Sequence, residues 1–326
     1  MIIDASKLRH LLLALLVAPY LVAQAAKTRP TTPVRPQIVR DAFEKNKPIY
    51  YFGLGSNMSR KKLENRGING TKIEIQTMEA AVVPNYRLAF NLRGFPPIEP
   101  GMGTLEPIEG NSKALLKYRN GKDDGECHGA LVRLTPENYE KVMKSEGISG
   151  KSDQLYEEIV VDAYPYKWPR RPVKAIALRA RDHVRLNFDP CPSQRYMNIL
   201  REGAEELGLK PCYQDFLAAH PVQQLPVWQK RVALYNLIFT ATVSFRLKFR
   251  VFSAVQSRLM YAVYAPTTAP VLKKLCCDLL ITLILFPGAI IGFLGYQIMN
   301  LTGTTPPFLT RMLTVFGDSE PRGNEE

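Results

Sequence analysis

Ile49-Tyr50-Tyr51-Phe52-Gly53-Leu54-Gly55-Ser56-Asn57-Met58 is the stretch on which the reading of this chain turns. Its first four residues are β-branched or aromatic and suit a strand. Glycines then interrupt the pattern, and Ser59 to Arg66 reads as helical. Strand, glycine turn, helix is a context in which backbone N–H groups point outward and meet anions or polar oxygens. The glycines begin like the dinucleotide fingerprint G-x-G-x-x-G, but the third position is Met58 and no repeating βα pattern follows. No G-x-x-x-x-G-K-[ST] occurs, which excludes a P-loop.

Outward from this stretch the chain alternates strands with turns rich in Gly, Pro and Asn. Strands are predicted at 79–83, 86–91, 127–134, 156–163 and 173–179. Helices are predicted at 136–145, with Thr135 as N-cap, and at 193–207, ending at Gly208. Residues 215–219 extend a third helix. The class is α+β, with strands predominating early and helices late. Ser145-Glu146-Gly147 follows the first of these helices. On its own, a carboxylate followed by glycine at a helix end reads as a plain exposed cap.

The chain has 326 residues and a formal charge of +13, from 43 Lys and Arg against 30 Asp and Glu. Such an excess first suggests nucleic acid or an anionic membrane. Its distribution favours the membrane. Residues 1–40 carry six basic residues and one acid, and 227–274 carry eight basic residues and no acid. Residues 275–326 carry two basic residues and five acids, which leaves only +3 for 41–226. The basic flanks adjoin the apolar runs, and 227–274 holds no groove-binding motif, so no nucleic-acid partner is expected.

Residues 1–26 have Lys7 and Arg9 before an apolar run broken by Pro19, then a small-residue site. They read as a signal peptide or as an uncleaved N-terminal anchor. Residues 27–47 follow as a basic linker rich in Pro and Thr. Leu279 to Leu301 carries no charge and is long enough to span a bilayer, so 275–301 is expected to be a transmembrane helix. Residues 227–274 are then a basic juxtamembrane segment and 302–326 an acidic tail. The shorter run 232–245 is expected to be interfacial or half-buried. The expected location is a membrane, the endoplasmic reticulum or another endomembrane, with orientation left open by the Lys/Arg pattern. A sequon, Asn69-Gly70-Thr71, would report a lumenal side; a second, Asn57-Met58-Ser59, lies within the glycine stretch.

Five cysteines show no C-x-x-C, and Cys276-Cys277 beside Lys273 and Lys274 fits either palmitoylation or a buried pair. The four histidines show no metal-ligand spacing.

Tyr51-Phe52-Gly53-Leu54-Gly55-Ser56-Asn57-Met58 resembles the Y-F-A-Y-G-S-N-[LM] signature of γ-glutamylcyclotransferases. Tyr86-Arg87-Leu88-Ala89-Phe90-Asn91 looks like their second strand, and Gly101-Met102-Gly103-Thr104-Leu105 like the small-residue segment after it. His128-Gly129-Ala130-Leu131 is similar to a further strand. Ser145-Glu146-Gly147 falls where the family keeps its catalytic E-G, and Tyr156 opens a strand like its Y-x-x-x-x-V-x-V. Pro192-Ser193-Gln194-Arg195-Tyr196, with Gly203-Ala204 and Gly208-Leu209, resembles its P-S-x-x-Y helix. The resemblance runs from about 48 to 220 in the family's order.

The resemblance implies a catalytic domain at 48–226, a mixed β-barrel with flanking helices. It implies a small-molecule γ-glutamyl substrate whose α-amine attacks its own γ-carbonyl, giving 5-oxoproline and a free amine. Glu146 would be the general acid and base, since one carboxylate in reach of both nitrogens can shuttle the proton. Tyr51, Phe52, Gly53, Leu54, Gly55, Ser56, Asn57, Tyr156 and Leu178 would bind substrate, with backbone N–H groups of Gly55, Ser56 and Asn57 as donors. No metal or cofactor is implied. This chain departs from the pattern at Leu54 and Leu178, where the family has Tyr, and near Lys144, where it has an acid. Losing two phenols points to a bulkier or more apolar substrate, such as an S-conjugate. The alternative is a catalytically inactive, membrane-attached binding or scaffold module of the same fold. Oligomeric state is left open.

Overall fold

The computed structural model describes residues 33–67, 71–108, 126–148, 150, 154–247, 275, 278–279, 283, 285–305 and 309–310. Five strands close into a barrel in the order β1-β5-β2-β6-β7: β1 (Ile49–Gly53), β2 (Thr77–Pro84), β5 (Glu126–Leu134), β6 (Tyr156–Pro165) and β7 (Val173–Ala180). β3 (Tyr86–Phe95) and β4 (Glu99–Pro107) form a separate two-stranded sheet. The barrel is mixed. β1 runs antiparallel to β5, with Phe52 opposite Leu131, and parallel to β7, with Phe52 opposite Ala177. β2 with β5, β2 with β6, and β6 with β7 are all antiparallel.

β1 and the middle of β5 and β7 read as near-continuous apolar runs because both of their faces are covered, whereas β6 carries Glu157, Glu158 and Asp162 and is partly exposed. Successive residues alternate between two cores, as the two-residue period of a strand requires. Tyr51, Ile176 and Leu178 join Tyr139, Val142 and Met143 of helix Pro136–Ser145. Phe52, Ala175 and Ala177 join Met197, Leu200 and Ala204 of helix Gln194–Glu206. The predicted N-caps are in place: Thr135 Oγ1 accepts from Asn138 N at 3.2 Å, and Ser193 Oγ accepts from Tyr196 N at 3.1 Å.

Three regions differ from the sequence expectation. Within the expected linker 27–47, Gln37–Glu44 is helical. Its spacing places Val39 and Ala42 on one face, both buried, while Arg35 pairs with Glu140 at 2.8 Å and with Glu158 at 3.5 Å. Local composition there looks like a linker, but two apolar contacts and one guanidinium dock it. The third helix is longer than expected, running Pro211–Ala219 with Pro at its first turn.

The expected membrane span is the third difference. The described helix is Phe286–Leu301, 16 residues or about 24 Å, short of the ~30 Å hydrocarbon core. Among the described residues no helix is long and apolar enough to cross a membrane. The run 232–245 lies within helix Val227–Leu247.

The described residues divide into two compact units, one within 33–93 and 101–223, the other comprising 94–100 and the described residues from 224 onward. In the second, helix Phe286–Leu301 packs on Val227–Leu247 through glycines. A Cβ on Gly292 would come within 2.1 Å of the Tyr235 carbonyl oxygen. The signal peptide or anchor, Asn69, Cys276-Cys277 and most of the juxtamembrane and acidic segments lie outside the described residues.

Candidate active site

Glu146 is the C-cap of helix Pro136–Ser145. The helix closes in a Schellman motif: Gly147 N donates to Lys144 O at 3.1 Å, and Ile148 N to Met143 O at 2.9 Å. Gly147 takes φ +76°, where a Cβ would be strained. Ile148 and Met143 are both buried and close the motif with an apolar contact. This fixes the backbone of Glu146. The cap is not a solvated one, because the Glu146 side chain is only 12% exposed.

A carboxylate at a helix C-terminus faces the negative end of the helix dipole. Two donors offset that. The Arg66 guanidinium pairs directly with Glu146 Oε1. Asn57 Nδ2 donates to the same oxygen at 3.0 Å, and to Tyr51 Oη at 2.8 Å. The carboxylate thereby orients the Asn57 amide, with its nitrogen toward Glu146. Asn57 Oδ1 is then left buried with no hydrogen-bond partner.

β1 delivers these groups. After Leu54 the chain tightens into a 3-10 turn, Gly55–Met58, and Ser59 caps the short helix Arg60–Glu64. Gly55 has φ +62°, and a Cβ there would stand 2.9 Å from Tyr196 Oη. Arg66 follows the helix, and its Nη2 donates to Ser56 Oγ at 2.6 Å. Tyr196 Oη accepts from Gly103 N at 2.9 Å, tying β4 to the helix after Ser193.

These residues line one cleft of about 120 Å³, several times the ~10–15 Å³ that admits one water. Of the residues expected to bind substrate, Tyr51, Phe52, Leu54, Ser56, Asn57, Tyr156 and Leu178 line it, together with Glu146. Gly53 and Gly55 do not line it; they let the turn close beneath Asn57 and Tyr196. The Asn57 N–H is not available as a donor to a ligand, because it bonds to Leu54 O at 3.1 Å within the turn. The Asn57 side chain takes its place in the cleft.

Arg66, Met102, Gly103 and Tyr196 also line the cleft and were not singled out as site residues from the sequence. Met102, Gly103 and Tyr196 lie in segments that carry the family resemblance, which was the available signal. Arg66 had none, since a basic residue after a short helix is ordinarily solvated.

Burial raises the Tyr51 hydroxyl to a pKa of about 12, against the lowering effects of Arg66 and Asn57. Burial pushes Tyr156 up further. Both phenols are therefore neutral at ordinary pH. Among the described residues no group of His, Cys, Asp and Glu side chains is placed to hold a metal ion. Buried His128 instead bonds Tyr166 Oη through Nδ1.

The resemblance implies a mixed β-barrel with flanking helices; the barrel here has five strands, and the glycine turn and Glu146 meet at one cleft. No family model matches the chain. It is 28% identical over 184 residues to "Gamma-glutamyl cyclotransferase gliK" of Aspergillus fumigatus, covering 55% of this chain and 64% of that one. It is 31% identical over 160 residues to "Gamma-glutamyl cyclotransferase gliK" of Claviceps purpurea, covering 48% and 65%. The chain thus spans a little under two thirds of the length of these relatives. A solved structure titled "Gamma-glutamyl cyclotransferase" aligns at 18% identity and a TM-score of 0.41, over 55% of this chain and 91% of that one. Over about half its length the chain is similar in sequence to these γ-glutamyl cyclotransferases.

Proposed function

We propose that this chain is a γ-glutamylcyclotransferase-type enzyme with Glu146 as its general acid and base. The observation that carries the reading is the placement of Glu146. Its carboxylate is largely withdrawn from solvent and bonded to Asn57 of the glycine turn. An exposed carboxylate remote from that turn would have favoured the inactive scaffold.

In the proposed reaction the substrate's α-ammonium gives one proton to Glu146. The freed amine attacks the γ-carbonyl carbon, forming the ring C–N bond. The tetrahedral centre collapses, the original amide C–N bond breaks, and Glu146 returns its proton to the departing nitrogen; the surplus proton on the ring nitrogen then passes through the same carboxylate to the released amine, which leaves as an ammonium. The products are 5-oxoproline and a free amine, and the carboxylate ends as it began. The cleft holds the cyclising conformer, which supplies much of the acceleration.

Leu54, Leu178 and Met102 give the cleft apolar surface where a polar leaving group would want partners. They support an amine carrying an apolar or thioether side chain, such as a glutathione S-conjugate. The test is release of 5-oxoproline by the full chain from γ-glutamyl amino acids and from glutathione S-conjugates. Release is expected, faster from the conjugates, and Glu146→Gln should lower it about 10²–10⁴-fold. No product from any substrate, or undiminished release by Glu146→Gln, overturns the assignment.

Attachment at a lipid surface is also proposed, resting on helix Phe286–Leu301. It carries no charge, and Ile291, Leu294, Ile298 and Leu301 are each more than half exposed. Flotation of the full chain with liposomes should be lost when Ile291, Leu294 and Ile298 are changed to Ser. Unchanged flotation of that variant rejects this helix as the anchor.

A further inference from the structure

We propose that the Arg66–Glu146 ion pair is a substrate-opened clasp in which Arg66 recognises an α-carboxylate and, by moving to it, releases Glu146 to the α-amine. The inference rests on the γ-glutamyl reading of the site and assigns a role to Arg66.

Among the described residues that line it, the cleft has one cation and one anion, and they are bonded to each other. The other described lining side chains are uncharged. The complementary ligand is a group bearing both charges close together, which describes an α-amino acid zwitterion. Its ammonium has two acceptors waiting, Glu146 and the buried, unpartnered Asn57 Oδ1. Asn57 is 95% buried, and its amide nitrogen is already committed to Tyr51 and Glu146, so its oxygen must wait for an outside donor. The carboxylate of the same ligand has the Arg66 guanidinium and the adjoining Ser56 hydroxyl.

Exchanging one internal ion pair for two ligand pairs keeps the cleft neutral, so neither state strands an uncompensated charge. Recognition is therefore coupled to release. A ligand with the amine but no carboxylate gives Arg66 no reason to leave Glu146. Arg66 is then the residue that makes the site demand an α-carboxylate, although the carboxylate takes no part in bond making.

The test uses the full chain and calorimetric binding of L-methionine sulfone. This zwitterion carries a sulfone at the position of the γ-carbonyl and cannot be cyclised. Its α-carboxamide serves as the probe without the negative charge. The wild type should prefer the sulfone acid by about 10–100-fold, the range of a charge-assisted hydrogen-bonded pair. Arg66→Met should abolish the preference, and Arg66→Lys should keep part of it. The lysine variant guards against a folding defect in the methionine variant. Equal binding of the two probes to the wild type, no binding of either, or a preference that survives Arg66→Met overturns the clasp. A chain that shows the preference yet releases no 5-oxoproline from any γ-glutamyl substrate would retain the clasp and reject the proposed enzyme.

Discussion

Among the carboxylates of this barrel domain that pair with arginine, Glu106 and Glu146 differ in what surrounds the pair. Glu106, on β4, is 7% exposed and accepts from Arg179 at 3.2 and 3.3 Å and from Arg185 at 3.4 and 3.5 Å. It joins β4 to β7 and to the segment after it, and it does not line the cleft that holds Glu146. Glu146 has a single arginine, an amide that leaves an acceptor unsatisfied, and open volume beside it. A buried ion pair is therefore not by itself a functional sign. The informative combination is a carboxylate with spare hydrogen-bonding capacity facing space that a ligand can fill.

The largest test of that contrast exchanges the two carboxylates for amides. Glu146→Gln should remove activity by the two to four decades given above and leave thermal stability close to wild type. Glu106→Gln should do the reverse. It removes the anion that two partly exposed guanidiniums share, while Arg179 keeps Glu157 at 3.9 Å and Arg185 keeps Asp182, so a loss of about 1–2 kcal/mol is expected. Activity per folded molecule should change less than threefold. Denaturant melts and 5-oxoproline release together check both arms, and equal activity loss in the two variants breaks the comparison.

Alkaline pH should separate the two sites next. Tyr51 is held protonated to about 12 by burial, against an ordinary value of 10. Tyr139 and Tyr156 are also raised by burial. Above pH 10 the unfolded chain loses these protons and the folded chain keeps them. The contribution is thus fully present below pH 10 and is lost as pH rises toward 12, at about 2–3 kcal/mol for Tyr51. Tyr51→Phe should flatten the alkaline limb of a pH–stability curve, whereas Glu106→Gln should leave its shape alone.

The smallest effect expected is at Gly147. Gly147→Ala forces a Cβ into φ +76°, at a cost of about 1–2 kcal/mol. Because Glu146 precedes it in the cap, activity should fall by about tenfold beyond the stability loss. Glu106 lies in a strand and has no such neighbour. A variant as active as wild type would show that the cap does not position the carboxylate.

Much of the barrel was legible in the sequence. Strand runs such as 127–134 and 156–163 and the helix 136–145 carry period and capping signals, and these are local. β4 carried little strand signal, because Glu99-Pro100-Gly101-Met102-Gly103 is poor in strand formers; pairing with β3 overrides propensity there. The helix Gln37–Glu44 was hidden for a related reason. Its burial depends on Arg35 meeting Glu140 and Glu158, more than a hundred residues away.

The sequence by itself determined the glycine turn, the order of the motifs, and Glu146 with its following glycine as the residues to watch. It also determined that the positive charge lies in the flanks, since charge is additive along a chain. Only the tertiary structure decided that Glu146 points into a cleft, that the Asn57 N–H is spent while its side chain is not, and that Arg66 belongs to the site. The Asn57 N–H is spent within its own turn, on Leu54 O; the other two depend on side chains 80 and 89 residues apart converging within hydrogen-bond distance, and closure of the barrel brings them there.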